Sequence, residues 1–408
     1  MPRSPSSPAF WRSPLRGPWF TSVLGLVLLG GITVLFVTGL VSYAAYNPDL
    51  SPVNDMTPDK GLLGFYLFSW PTDPTWLYRL TQGVHVTLGV ALIPVLLAKL
   101  WSVVPKLFTL PPARSFAHAL ERISLLLLVG GALFEFITGV LNVQLDYIFP
   151  GSFYPLHFYG AWVFFAAFLT HAVLRVPAAI RNVRKLREET GELVSPDPAE
   201  PTVSRRGALG LVGGGSLLLF GTTVGHSFDG PLRETAVLAP HGGPEPGSGP
   251  AGFQINKTAA SRGISATETS EEAWRLVVEG RGQTLRLSRS ELLRLPLYSA
   301  ALPIACVEGW STSDQWWRGV RLRDLAALVG YENGAAPDVL VESLQRHGAF
   351  RRAALRDNQV RDPRSLLALY VNGEPLTPDH GHPARVIVPA APGVLNTKWV
   401  ARMTFGDL

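Results

Sequence analysis

One cysteine occurs in 408 residues, Cys306, within LPIACVEGWSTSDQWWRG at 302–319. A single thiol excludes an intrachain disulfide and leaves three roles open: a buried small apolar group, a metal ligand or a nucleophile. The nine histidines give a second lead. His85, His118, His157 and His171 fall in or beside long apolar runs, where a polar ring is costly and usually has a task. His157 and His171 are 14 residues apart. On a helix that separation is about 1400°, roughly 40° short of four full turns, and about 21 Å along the axis. Two imidazoles on one face, one near each membrane surface, suit two stacked haems. Bis-imidazole ligation leaves iron no open position, so electron transfer is the expected use. Matched depths pair His85 with His157 at an outer haem iron and His118 with His171 at an inner one. The alternative is that these rings hydrogen-bond within a helical bundle.

The elements that would carry them are four apolar runs: 20–43, 76–98, 123–143 and 157–176. Each is long enough to cross a bilayer. The apolar fraction of 47%, the charged fraction of 16% and a mean hydropathy of +0.19 agree with a chain partly in lipid. The net charge of +5 is gathered beside these runs, which points to the bilayer and away from nucleic acid. Arg3, Arg12 and Arg16 precede the first run; Lys99, Lys106, Arg114 and Arg122 follow the second; Arg175, Arg181, Arg184, Lys185 and Arg187 follow the fourth. The loop 47–75 instead carries Asp49, Asp55, Asp59 and Asp73 against Lys60. The positive-inside rule then places the amino end in the cytoplasm and this loop outside, with Trp70, Trp76, Tyr147 and Tyr154 as outer interface anchors. Gly130 and Gly131 offer a flat porphyrin close approach to the backbone, or close packing to a helix. Glu135, inside the third run, is either a proton-path group or a satisfied polar residue.

The stretch SRRGALGLVGGGSLLLFGTTVGHS from Ser204 opens on Arg205 and Arg206. It reads as a twin-arginine export signal or as a plain fifth transmembrane helix. Either puts residues 227–408 outside the cell membrane. The expected organisation is a cytoplasmic tail at 1–19, a four-helix bundle at 20–177, a cytoplasmic linker at 178–203, a fifth helix at 204–226, a flexible Pro/Gly tether at 227–252 and an extracytoplasmic domain at 253–408. In the last, WRLVVEG alternates as a strand, LSRSELLRLP is a short helix starting near Ser288 or Ser290, and VRLRDLAALVG is a second helix ending on glycine. SLLALYVNGEPL, PARVIVPA and TKWVARMTF read as strands, the first turning at Asn372-Gly373. The fold class is thus a multi-domain membrane protein: an all-α transmembrane bundle, then a mixed α+β domain.

The first part resembles the four-helix membrane cytochromes b that serve as haem subunits of formate dehydrogenases and related enzymes, over roughly residues 20–180. The resemblance implies b haems, two in number. Such relatives often use a first-span histidine for the inner haem, and the first run here has none.

CVEGWS at 306–311 with WWRGVRLRDL at 316–325, and LLALYVNGEPLTPDHGHPARVIVPAAPG followed by Lys398-Trp399, resemble the molybdopterin-binding domain of the sulfite oxidase superfamily. The resemblance covers about 253–404. It implies that Cys306 supplies the one protein thiolate to molybdenum. It further implies that Asn256, His380, Gly381, Arg385, Gly393, Lys398 and Trp399 bind the molybdopterin, with the cations on its phosphate. Glu308 becomes a candidate catalytic proton shuttle, the alternative being an anchor for its neighbours. Where eukaryotic sulfite oxidases carry an AGNRR-like run, this chain has VEGWS, so a dedicated sulfite pocket is not implied. The pattern is nearer the periplasmic methionine-sulfoxide reductase branch. No dimerisation domain follows, so no obligate dimer of the sulfite oxidase kind is expected. The function expected is oxygen-atom transfer on a small molecule, S-oxide or N-oxide reduction first, with electrons relayed through the haems from quinone or another carrier. Oxidation of a small substrate such as sulfite, with electrons passed to quinone, is the alternative. A pterin- or partner-binding module on a membrane anchor is the reading without turnover.

Overall fold

The computed structural model describes residues 10–50, 68–108, 115–143, 153–185, 194, 203–228, 230–240, 247, 249–332, 336–346 and 350–408; the side chains of 106, 107, 117, 118 and 121 lie outside this description. Among the described residues five helices are long and apolar enough to cross a membrane: α1 Pro18–Ala44, α2 Leu77–Val103, α3 Phe116–Asn142, α4 Tyr154–Arg184 and α5 Arg205–Gly221, the last extended by a 3₁₀ turn at Val224–Ser227. The helix α3 starts before the apolar run and so takes in His118. The helix α4 continues to Arg184, past the expected end at 176, with Pro177 inside it. The Ala- and Arg-containing stretch after Pro177 keeps helix propensity where apolarity has already ended.

The chain forms two compact units. The first comprises Met1–Val37, His85–Asn142 and Phe149–Gly221. Its core sets Phe20, Leu24, Leu28 and Ile32, spaced four apart along one stripe of α1, with Leu92, Val95 and Leu96 of α2 and with Ala132, Phe164 and Phe168. Val27, Leu126, Val173, Leu174 and Leu217 face outward, as lipid-facing positions of a bundle do. Small residues set the helix spacing. A Cβ on Gly131 would lie 3.1 Å from Phe164, and one on Gly160 would overlap Glu135 and Phe134. Gly131 therefore serves the packing of α3 on α4, and of the pair only Gly130 faces open space.

The second unit comprises Thr38–Val84, Val143–Ile148 and Thr222–Leu408. Its centre is a pair of five-stranded sheets. One has the order β2 (Gln283–Leu287), β1 (Leu276–Gly280), β10 (Val400–Gly406), β5 (Asp338–Ser343), β6 (Arg352–Leu355). The other runs β3 (Tyr298–Leu302), β4 (Gln315–Arg321), β7 (Leu366–Val371), β8 (Glu374–Pro375), with β9 (Arg385–Ile387) on β7. Short helices α7 Arg289–Arg294, α8 Leu322–Ala327 and α9 Asp357–Arg361 lie between strands, and α6 Pro231–Glu234 precedes them. Ser288 caps α7 in a capping box with Glu291. Asn372 and Gly373 turn β7 into β8 with positive φ at both, as a tight primed hairpin requires. The helix expected from Val320 starts at Leu322, because Val320 and Arg321 extend β4 against β7.

Two expectations are corrected in this unit. Trp70 is no interface anchor: it is fully buried and its indole N–H donates to the Ala390 carbonyl at 2.7 Å. The loop between α1 and α2 straps the domain, with Asn47 donating to Ala354 and Gln359, and Arg364 paired to Asp73 at 2.7 Å. Residues 230–240 are likewise not a free tether. They fold through α6 and bury Arg233, and Leu238 donates back to Thr222. Pro and Gly in this stretch shape turns, and the polar contacts that hold it are invisible to periodicity.

Leu367 of β7 is fully buried in the larger core of this unit. Leu367→Ala is expected to lower unfolding stability by about 3 kcal/mol through lost transfer energy and the cavity left behind. Denaturant unfolding of the detergent-purified full chain, followed by tryptophan fluorescence, measures it.

Candidate functional site

The thiol sits on a six-residue turn between β3 and β4. The turn begins where Ala305 bridges both Ser311 and Pro392, and Ile304 and Thr312 exchange hydrogen bonds across its base. Cys306 N–H donates to the Trp310 carbonyl at 2.8 Å and Gly309 N–H to the Cys306 carbonyl at 3.1 Å, with Gly309 at φ +94°. This tight fold aims the N–H groups of Val307 and Glu308 at the sulfur. Burial pushes the Cys306 thiol up, Glu308 pushes it further, and those N–H groups and Lys257 oppose the rise. A sulfur so placed is poorly suited to being a bare thiolate in water-free protein, and well suited to sharing its charge with a metal.

Around it stands a pocket lined by Gln254, Ile255, Asn256, Ile304, Cys306, Trp310, Asp379, His380, Arg385, Gly393 and Lys398. Each comes from a different end of the fold: 254–256 from the approach to the domain, Asp379 and His380 from the 3₁₀ turn after β8, Arg385 from the start of β9, Gly393 from the Pro392 bridge and Lys398 from just before β10. Burial lowers the Arg385 guanidinium to about 9. Burial, then Arg385 and Lys257, holds Lys398 well below the usual lysine range. Lys257 is lowered by burial and by Arg262. None of Lys257, Arg262, Arg385 and Lys398 forms an ion pair with a carboxylate among the described residues. Lys398 spends its ammonium on the carbonyls of Lys257 and, at 2.9 Å, Asp379. Burial and the cations Arg385 and Lys398 lower His380 to about 4, so its ring is neutral at pH 7. Its Nδ1 meets Thr377 Oγ1 at 2.8 Å.

Several buried polar atoms here have no partner among the described residues: both amide atoms of Gln254, Nε2 of His380 and Nε of Arg385. Such orphans mark where a ligand's acceptors and donors belong. Unpaired cations, neutral donors and a lone thiol together fit a large anionic cofactor carrying phosphate and a sulfur-bound metal. Gly393 fits the same cradle: its N–H donates to Ala305 at 2.6 Å and a Cβ there would press on Ala305 and Ile304.

Of the residues expected at this site, Cys306, Asn256, His380, Arg385, Gly393 and Lys398 line one pocket. Gly381 turns the chain at φ +109° behind Arg385 and Lys398, where a Cβ would lie 3.2 and 3.1 Å from their side chains. Trp399 is buried with its indole on the Pro378 carbonyl at 2.7 Å, bracing the turn that presents His380. Glu308 sits beside Cys306 and accepts the Trp310 indole N–H at 2.7 Å; burial raises its carboxyl above the ordinary range. The sequence pattern does not single out Gln254, Lys257, Arg262 or Asp379. FQINKTAASR contains three of them; the resemblance reaches this stretch through Asn256 alone, and nothing in its pattern marks the neighbouring Gln254, Lys257 and Arg262.

The first unit gathers a second site. His85 of α2 and His157 of α4 face each other with ring centroids 6.2 Å apart and planes at 87°. His85 Nδ1 lies 2.9 Å from the Leu35 carbonyl; His157 Nδ1 lies 2.9 Å from Thr138 Oγ1 and 3.1 Å from a Glu135 oxygen. Imidazole nitrogen binds metal at about 2 Å, so two rings on opposite sides of one ion have centroids roughly 6 Å apart. Nδ1 of each ring thus meets a neighbouring oxygen, and Thr138 and Glu135 both stand against His157. His171 lies on α4, and the side chain of His118 lies outside the described residues.

Comparison with known proteins bears on the second unit. Residues 264–407 match the family described as oxidoreductase molybdopterin binding domain. The uncharacterized oxidoreductase YuiH of Bacillus subtilis is 35% identical over 133 residues, 32% of this chain and 65% of YuiH. Human mitochondrial sulfite oxidase is 32% identical over 158 residues, 33% of this chain and 29% of its own length. A barley nitrate reductase is 41% identical over 96 residues, 21% of this chain and 10% of its own length. The chain thus spans under two thirds of each of these relatives. The crystal structure of the sulfane dehydrogenase SoxCD from Paracoccus pantotrophus aligns at TM-score 0.31 and 24% identity, over 34% of this chain and 39% of that one. From residue 264 to 407 the chain is a molybdopterin-binding oxidoreductase domain of the sulfite oxidase superfamily.

Proposed function

We propose that this chain is a membrane-held molybdenum oxidoreductase that removes an oxygen atom from a small S-oxide or N-oxide outside the cell membrane, fed by electrons through b haems in its helices. The observation that carries the first half is the pocket around Cys306. Among the described residues its cations lack carboxylate partners, and orphaned donors surround its one thiol. Bound there, molybdopterin would supply a metal that accepts the substrate's oxygen and returns it to water on two-electron reduction. Arg385, Lys398 and Lys257 would hold the cofactor's phosphate, Gln254 and His380 its polar edge, and Cys306 the metal. Glu308, whose carboxyl burial raises from its ordinary value and whose position the Trp310 indole fixes, would give a proton to the departing oxygen.

The facing pair His85–His157, with Nδ1 of each ring engaged, supports an outer haem. His118 and His171 would serve an inner haem by the same logic. Five spans among the described residues are compatible with chain ends on opposite faces, and the contacts of Trp70 and Asp73 with the domain support a shared side for the loop after α1. With the positive-inside rule this gives a cytoplasmic amino end, an extracytoplasmic molybdenum site and membrane quinone or another carrier as donor. The arginines opening α5 are compatible with twin-arginine export of a loaded domain.

Mass spectrometry of natively expressed, detergent-purified protein is expected to give one molybdenum and two irons per chain. Molybdenum without iron, in preparations that retain haem in a control cytochrome, would remove the relay and leave the helices as an anchor. Cys306→Ser is expected to abolish S-oxide reduction while pterin stays bound; turnover at the wild-type rate would end the thiolate assignment. For the membrane site, His157→Ala is expected to halve the haem absorbance per chain, read in the pyridine haemochrome spectrum.

A further inference from the structure

The turn that carries Cys306 is held by residues that precede the matched family domain. Gln82, in the second turn of α2, donates its side-chain amide to the Val307 carbonyl at 2.5 Å. Ser227, at the end of the fifth span, donates Oγ–H to the Gly309 carbonyl at 3.0 Å. Arg79 holds the Ser227 carbonyl at 2.7 Å through Nε. Buried Arg233 donates to the Ser311 carbonyl, and the Ser311 N–H donates to His226 at 3.1 Å. Within the domain the turn is closed by its own Cys306–Trp310 and Gly309–Cys306 bonds, by the Ile304–Thr312 pair at its base and by Gly393 on Ala305.

Gly83 shows that the approach is built for. A Cβ there would stand 2.6 Å from Ser227 Oγ, so any larger residue would turn the Ser227 hydroxyl away from its place. The donors also fall on alternate carbonyls of the turn, those of residues 307, 309 and 311, while the intervening Trp310 carbonyl accepts from Cys306 itself. A six-residue loop with each of these acceptors filled has little freedom to re-aim its sulfur.

We propose that Gln82 is a positioning residue for the molybdenum site: with Ser227 it clamps the Cys306 turn, so that the geometry of the metal's protein sulfur is set by residues that precede the matched family domain and not by that domain alone. This rests on the proposed function for what the sulfur binds, but the clamp itself concerns only this chain's atoms.

The test uses the full-length protein and Gln82→Met, which keeps length and flexibility but removes the donor. In apoprotein, iodoacetamide reaches the single thiol only through opening of the turn. Its alkylation is expected to quicken by about fivefold, the fold-change of one lost hydrogen bond. In loaded protein with unchanged molybdenum content, the midpoint potential and the EPR spectrum of the one-electron-reduced site are expected to shift. Ser227→Ala, at a helix end where misfolding is less of a risk, should move both readouts in the same direction. Gln82→Asn, whose amide is one methylene short, should fall between. Wild-type alkylation and an unmoved EPR spectrum in both Gln82→Met and Ser227→Ala overturn the clamp. A wild-type protein that never contains molybdenum overturns the proposed function instead, and the alkylation rates still decide the clamp.

Discussion

The second unit depends on a charge imbalance kept away from water. Arg385 and Lys398 line one pocket with Asp379, Lys257 and Arg262 add positive charge near Lys398, and Glu308 lies near Lys257. Burying a cation without a partner costs several kcal/mol even after relaxation. The downward shifts of Arg385 and Lys398 express that cost in the apoprotein. A polyanionic ligand reverses its sign, because every cation that was penalised then gains a charge-assisted partner. Folding and cofactor capture are therefore linked: whatever binds the native pocket and not the unfolded chain adds directly to stability.

Holding that imbalance in register falls to the backbone rather than to long side chains. Gly381 lets Arg385 and Lys398 pack over a turn with no Cβ between them, and Trp399 locks the same turn from behind. The parallel pairing of β1 with β10 brings the start and end of the domain together, and so sets Lys398 opposite the 254–257 stretch. The thiol turn is fixed separately, from the α2 and α5 ends and from α6. Two independent supports meet at the pocket: the sheets carry the cations, and the segments outside the matched domain carry the sulfur.

How much of this is legible in the sequence depends on range. Apolar runs, the hairpin at Asn372-Gly373 and the capped helix at Ser288 are set by neighbours within a few residues, and they read directly. Cys306, His380, Arg385 and Lys398 stand out through long ordered motifs. Strands β3 to β6 are largely hidden or truncated because their burial is set by partners far along the chain; β4, for instance, holds Trp316 exposed and Trp317 fully buried by its pairing between β3 and β7. Trp70 misleads for the same reason. A tryptophan after an apolar loop looks like an interface anchor until the Ala390 carbonyl, 320 residues on, takes its N–H. The role of residues 230–240 is hidden because a buried arginine in a Pro/Gly stretch has no period to betray it.

The strap acts within the second unit, where it joins segments far apart in the chain. Here Asn47, Trp70 and Asp73 engage α9, Ala390 and Arg364, and Arg233 engages the thiol turn. These are unequal contacts. The Arg364–Asp73 pair is partly open to water and contributes little by itself. Asn47 and Trp70 are fully buried and hydrogen-bonded to main-chain acceptors, so removing either leaves a buried carbonyl unpaired as well as a cavity. The buried ties therefore define the geometry, and the ion pair at the rim only guards it.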